Sequence, residues 1–214
     1  GSIGIGHTRW ATHGEPNDTN AHPHQDKTGK IFIIHNGIIE NFSKLKEVLI
    51  RKGFIFKSET DTEVLVNLIS DIYYSDGLNF EQAVEAALNQ VIGTYGIVTF
   101  CIDEPNKIVV ARHGSPLVLG VGNDEYFIAS DASPIVEHTR NVIYLDEGQF
   151  LYTYDLLTKD FLLYNYKINS STSNYFFNNS LIIKNDNYLE AINILNGKSF
   201  WLIDSKLNKK SKIL

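Results

Sequence analysis

The sequence has no methionine, and its one cysteine is Cys101. A single thiol excludes an internal disulfide and fits a reducing cytosol. Position 1 is Gly1, so the chain is expected to be a processed product, a fragment, or a sequence whose first residues are foreign. No apolar run is long enough to span a membrane. No signal-peptide pattern opens the chain, so the glycosylation-like Asn41-Phe42-Ser43 carries no weight. Basic clusters are missing before the extreme C-terminus, and 19 Lys and Arg face 25 Asp and Glu. A net charge of -6 argues against a nucleic-acid surface. There is no internal repeat. What is present is ordinary globular composition, 43% hydrophobic and 21% charged over 214 residues, enough for one sizeable core or two small ones.

The stretch that organises the rest is Ile31-Phe32-Ile33-Ile34-His35-Asn36-Gly37. Four apolar residues, β-branched or aromatic, predict a buried strand that ends at His-Asn-Gly. There Asn36 offers an amide donor and Gly37 a bare backbone N–H, the pair an oxyanion hole needs. The same Asn-Gly also reads as a plain hairpin turn.

Upstream, a short strand near Gly1–Gly6 leads into a long polar loop holding His7, Arg9, Trp10, Thr12, His13, His22 and His24. Long loops of this kind are functional or disordered, and Trp10, Arg9 and the histidines argue against disorder. Downstream, a helix is expected from about Phe42 to Lys52, with Phe42, Leu45, Val48 and Leu49 on one face and Gly53 as its stop. Phe54 to Lys57 reads as a short strand. Thr60-Asp61-Thr62-Glu63 reads as a capping box opening a helix to about Tyr74, and Asn79 with Gln82 repeats the pattern. From Tyr95 the period becomes that of strands: Gly96 to Ile102, Ile108 to Arg112, Ser115 to Gly120 and Tyr126 to Ser130. Ala132 to Val136 reads as a helical turn. Val142 to Leu145 and Gln149 to Tyr154 would flank a turn at 146–148, and Phe161 to Lys167 would pair last. This order predicts an α+β fold with antiparallel sheets. Near Asn165 the composition shifts to an Asn-rich tail with apolar clusters and a basic end.

Arg9 carries a guanidinium fork suited to a carboxylate, or to a surface salt bridge. Thr12 and His13 could add donors to the same carboxylate. Asp61 could hold a substrate ammonium, or complement a helix dipole. The histidines lack i, i+4 ligand spacing and a cysteine partner, so loop or satisfied roles are expected rather than a metal site. Cys101, between Phe100 and Ile102, is expected to be a packed thiol.

Four words in order are more specific: His7-Thr8-Arg9-Trp10-Ala11-Thr12-His13-Gly14, His35-Asn36-Gly37-Ile38-Ile39-Glu40-Asn41, Ser58-Glu59-Thr60-Asp61-Thr62-Glu63 and Gly114-Ser115-Pro116-Leu117. Phe127-Ile128-Ala129-Ser130-Asp131 and Leu145-Asp146-Glu147-Gly148 fit too. Together they closely resemble the glutaminase domain of glutamine–fructose-6-phosphate aminotransferases, class II amidotransferases. The resemblance covers roughly the first three quarters of the chain. It implies an N-terminal-nucleophile αββα sandwich of two antiparallel sheets, here incomplete at the N-terminus. It divides the chain into a partial amidotransferase domain, 1–164, and a divergent tail, 165–214.

By the same resemblance, Arg9 would hold the α-carboxylate of glutamine with Thr12 and His13, and Asp61 its α-ammonium. Asn36 and Gly37 would stabilise the oxyanion, and Trp10 would shape the site and gate ammonia. No cofactor or metal is implied. The partners implied are glutamine or glutamate, a sugar-isomerising domain that binds fructose 6-phosphate, and an oligomer formed through that domain. The implied product is glucosamine 6-phosphate, the start of hexosamine synthesis. The family's nucleophile is an N-terminal cysteine whose own α-amine is the base. It lies several dozen residues before the equivalent of His7 and is not in this sequence; Cys101 has no free amine. The chain alone is therefore expected to be inactive. Other readings are a non-catalytic glutamine- or glutamate-binding remnant, a phosphoribosyl- or asparagine-type amidotransferase, and a metal hydrolase built on the histidines.

Overall fold

The computed structural model describes residues 3–9, 13–123 and 125–145 in full, and the backbone of the strands between 150 and 204. In chain order, a 3-10 turn (Asp18–Asn20) precedes β1 (His24–Gln25), β2 (Ile31–Ile39), α1 (Phe42–Arg51), α2 (Asp61–Ser75) and α3 (Phe80–Leu88). Then come β3 (Gly93–Cys101), β4 (Lys107–His113), β5 (Val118–Val121), β6 (Tyr126–Ala129), β7 (Val142–Tyr144), β8 (Phe150–Asp155) and β9 (Asp160–Tyr164). The tail adds β10 (Ser173–Phe177), β11 (Ser180–Lys184), β12 (Tyr188–Asn193) and β13 (Ser199–Asp204).

Three antiparallel sheets result, ordered β1-β2-β3-β4-β8-β9, β6-β5-β7 and β10-β11-β12-β13. The first is the platform. Its alternate residues face opposite ways. Ile31, Ile33, Ile39, Ile97, Cys101, Val109 and Ala111 meet the helices in one buried cluster with Leu65, Ile69, Phe80 and Val84. Val98 and Val110 face the other way and meet Leu117 and Leu145 of the second sheet region, with Ile34 and Ile128 alongside. The described residues thus form a helical layer and two stacked sheets, the α+β arrangement expected.

Strand β2 corrects the reading of a turn. It does not end at His-Asn-Gly but continues to Ile39, paired with β3 from Ile31 opposite Cys101 to Ile39 opposite Gly93. Gly37 is there for proximity. Its φ is +128°, and a Cβ would lie 2.2 Å from the Thr94 carbonyl oxygen. Asn-Gly is a turn signal only when no neighbouring strand holds the backbone extended.

The helices follow their predicted limits closely. Gly53, at φ +85°, ends α1, and the Phe54 N–H closes on the Leu49 carbonyl at 3.0 Å. Phe54 buries its ring against the helices, so Phe54 to Lys57 forms no strand. Val48 is 48% exposed while Leu49 is fully buried; the buried face of α1 is narrower than its apolar pattern. Thr60 caps α2, accepting from the Glu63 N–H. The box is only half closed, because the Glu63 carboxylate turns instead to the Lys57 and Ser58 N–H groups. Asn79 and Gln82 close theirs fully on α3.

Ala132 to Val136 makes a helical turn, as read, with further turns to Thr139, and β9 pairs last on its sheet, with β8. β7 and β8 are not a hairpin: β7 pairs with β5 and β8 with β4, so the chain changes sheets between them. The turn expected at 146–148 lies outside the described residues. Among the described residues no helix is long and apolar enough to cross a membrane.

Candidate active site

The site forms where the loop before β1, the far half of β2 and the first turn of α2 converge. A cavity of about 300 Å³ is lined there by His7, Arg9, His13, His22, His35, Asn36, Gly37, Asp61 and Thr62, among others. Five of the predicted site residues, Arg9, His13, Asn36, Gly37 and Asp61, therefore share one wall. Trp10 and Thr12 lie outside the described residues.

Arg9 does not follow a strand; residues 3–8 run without one. Its φ of +52° is unusual for a side-chain-bearing residue. The guanidinium is steadied by backbone carbonyls rather than by a surface carboxylate: Nη2 donates to His13 (2.8 Å) and Gly14 (3.2 Å), and Nη1 to Glu15 (3.3 Å). Gly14, at φ +73°, has no room for a Cβ, which would meet the Asn20 side chain at 2.5 Å. The loop is thus cinched around the fork.

Asp61 is almost fully buried in the first turn of α2. Its Oδ2 accepts the Ile39 N–H at 2.8 Å. Its Oδ1 lies 3.8 Å from Nδ1 of His13, too far for a hydrogen bond, and that nitrogen has no other partner among the described residues. The Thr62 hydroxyl lies 3.5 Å from the same Oδ1; a carboxylate held firmly through one oxygen and only weakly engaged at the other keeps capacity to receive a cation.

The Ile39 contact also fixes the sense of the neighbouring amides. The Glu40 N–H donates to Ile92, and Ile102 to Lys30, so even-numbered residues of β2 form the hydrogen-bonded pairs with β3. Odd-numbered residues turn their N–H groups to the outer edge. Ile39 does so and reaches Asp61; Gly37, two residues earlier, has the same register. β1 pairs with β2 only at Phe32 and Ile33, so it does not cover that stretch of edge. Asn36 points to the opposite face. Its Oδ1 is 2.8 Å from His7 Nε2, and the Arg9 N–H donates to His7 Nδ1 at 2.8 Å. A second cavity, about 540 Å³, reaches Asn36 and His7 from between the sheets.

Behind Asp61, Thr62 is a residue that the sequence words contained but did not single out. Its hydroxyl bonds His22 Nε2 (3.1 Å) and His35 Nδ1 (3.0 Å). Thr60 does the same for His24 Nε2 at 3.0 Å. The rings of His7 and His22 lie 4.4 Å apart, tilted by 30°. Burial, with the neighbouring histidines and Arg9 adding to it, pushes His22 down to about 3. Burial also lowers His24 and His35. The rings of His22, His24 and His35 act as hydrogen-bonding struts in which burial disfavours the charged form. No group of three or more His, Cys, Asp or Glu among the described residues is arranged to hold a metal.

Cys101 is fully buried on the helix side of β3, opposite Ile31, and burial raises its thiol pKa. A larger groove, about 790 Å³, borders Lys27 and Ile55 and contains none of the predicted site residues.

The family described as glutamine amidotransferase domain matches residues 7–137. The glutamine–fructose-6-phosphate aminotransferase [isomerizing] of Chlorobaculum tepidum is 58% identical over 149 residues, 69% of this chain and 24% of that protein. The enzyme of the same name from Thermococcus kodakarensis is 53% identical over 160 residues, 75% of this chain and 26% of that protein. The chain spans about a quarter of the length of these curated relatives. Among solved structures, glutamine phosphoribosylpyrophosphate amidotransferase from B. subtilis superposes with a TM-score of 0.60 over 78% of this chain and 35% of its own, at 24% identity. That likeness carries the fold alone. The match over residues 7–137 spans more than half of the chain: the chain belongs to the glutamine amidotransferase domain family.

Proposed function

We propose that the cavity is a seat for L-glutamine, and that the chain is the glutaminase part of a glutamine–fructose-6-phosphate aminotransferase. One observation carries the reading. A fixed guanidinium, a buried carboxylate and two amide donors line a single cavity of about 300 Å³. An α-amino acid needs opposite charges at its two ends, and a side-chain amide needs donors at its carbonyl.

Arg9 takes the α-carboxylate, with Thr12 and His13 beside it. Asp61 takes the α-ammonium through the oxygen not spent on Ile39. The Asn36 amide and the Gly37 N–H meet the oxygen of the amide carbonyl. As a nucleophile adds to that carbon, negative charge grows on the oxygen, and fixed donors stabilise it without reorganising. The attacking thiol belongs to the N-terminal cysteine that the resemblance implies. Cys101, buried behind the sheet, does not serve. Trp10 shapes the site and gates ammonia toward a sugar-isomerising domain, where fructose 6-phosphate becomes glucosamine 6-phosphate. Residues 1–164 are the amidotransferase part and 165–214 a separate tail; the family match, ending at 137, and a tail sheet with its own strand order support this division. The single thiol supports a cytosolic home, and assembly into oligomers would run through the sugar domain.

Calorimetry with L-glutamine tests the seat. The 214-residue protein should bind glutamine, and Arg9→Ala and Asp61→Ala should each weaken binding at least about tenfold, the loss of one charge-assisted contact. No heat with the unaltered chain would remove the reading. A glutamate-release assay on the same protein should show no turnover.

A further inference from the structure

We propose that His7 is a positioning residue that sets which way the Asn36 amide points; this rests on the reading of Asn36 as the donor to the glutamine carbonyl. A backbone N–H can only donate, so the Arg9 N–H, 2.8 Å from His7 Nδ1, requires that nitrogen to accept. A neutral imidazole with a bare Nδ1 carries its proton on Nε2. Nε2 lies 2.8 Å from the Asn36 side chain and must donate to it. Only the amide oxygen can accept there, so the Asn36 NH2 is turned away from His7. Without His7, either end of the amide could face either way, because oxygen and NH2 have nearly the same shape.

Three surroundings make His7 decisive. Opposite Asn36 in the ladder is Gly96, which offers no side chain to grip it. Among the described residues, His7 is the one hydrogen-bond partner of the Asn36 side chain. The His7 ring is held in turn by contact with the His22 ring and by the Arg9 N–H. The residue that supplies the carboxylate clamp thus also fixes the tautomer behind the oxyanion donor. A protonated His7 would set an N–H against the Arg9 N–H.

Two substitutions separate the ring's two nitrogens. His7→Gln can place an N–H where Nε2 stands; His7→Asn can place an acceptor where Nδ1 stands but is too short to reach Asn36. Affinities for L-glutamine and for L-norvaline, which keeps the α-groups and replaces the amide by methyl, are measured by calorimetry on the 214-residue protein. The unaltered chain should prefer glutamine by about tenfold or more, the scale of a hydrogen bond to a buried amide. His7→Asn should erase that preference while holding norvaline affinity, and His7→Gln should keep most of it. Preference retained in His7→Asn, or lost in His7→Gln with norvaline affinity unchanged, overturns the role of His7 and leaves the glutamine seat standing. Equal affinities in the unaltered chain, or no glutamine binding, overturn the seat instead. Nitrogen-15 shifts of the His7 ring test the positioning without any ligand: a bare Nδ1 and a protonated Nε2 are expected. The reverse tautomer refutes the proposal.

Discussion

The two faces of β2 do different work. Toward the helices stand Ile31, Ile33 and Ile39, all fully buried, with His35 wedged between them on Thr62. Toward the second sheet stand Phe32, Ile34 and Asn36, all only half-buried. One face is dense and anchors the strand; the other is looser and carries Asn36, the proposed amide donor. The comparison teaches that a side chain can stand in loosely packed surroundings yet keep its position, provided its backbone is clamped from behind.

The sharpest way to break the comparison is to remove matched bulk from each side. Ile33→Ala, on the dense face, should cost about 2–5 kcal/mol of stability, the range for deleting a fully buried aliphatic chain. Ile34→Ala, one residue on, should cost about 1 kcal/mol or a little more, because its side chain is partly exposed. Urea unfolding of both variants reads the difference; equal losses would dissolve the distinction.

Gly37→Ala comes next in size. The new Cβ meets the Thr94 carbonyl at 2.2 Å with φ at +128°, so strands β2 and β3 must separate locally. A loss of about 2–3 kcal/mol in the same unfolding experiment is expected. A neutral result would mean that the close strand approach is dispensable.

A last test works through pH rather than bulk. His22 titrates near 3 in the fold against an ordinary 6.5. Between those values the unfolded chain takes up a proton that the folded chain refuses, so stability falls as pH drops from about 7 toward 3. It is fully present above the unfolded value. Melting temperature against pH should show the decline, and His22→Gln should flatten part of it.

Much of this architecture was legible beforehand. The helices announced themselves through Gly53, Thr60 and the Asn79–Gln82 box, since caps and periodicity are local. What was not legible depended on neighbours distant in sequence. Asn36-Gly37 imitates a turn until Thr94 and Tyr95 of β3 are beside it. Val142 to Tyr144 and Phe150 to Asp155 imitate a hairpin until β5 and β4 claim them separately. In the site, Arg9, Asp61, Asn36 and Gly37 were visible as residue types in specific words. The second rank, Thr62 under Asp61 and His7 behind Asn36, was not, because a hydroxyl or an imidazole gives no sign of its partner until the chain is folded.

One bond gathers these threads: the 2.8 Å link from the Ile39 N–H to Asp61. It rivets the rim of the platform to the mouth of a helix, so the acidic pole of the cradle cannot shift unless the strand carrying Asn36 and Gly37 shifts with it. If the cavity seats glutamine as proposed, the span between the two poles is set by the scaffold, and an amino acid one methylene shorter or longer should bind more weakly.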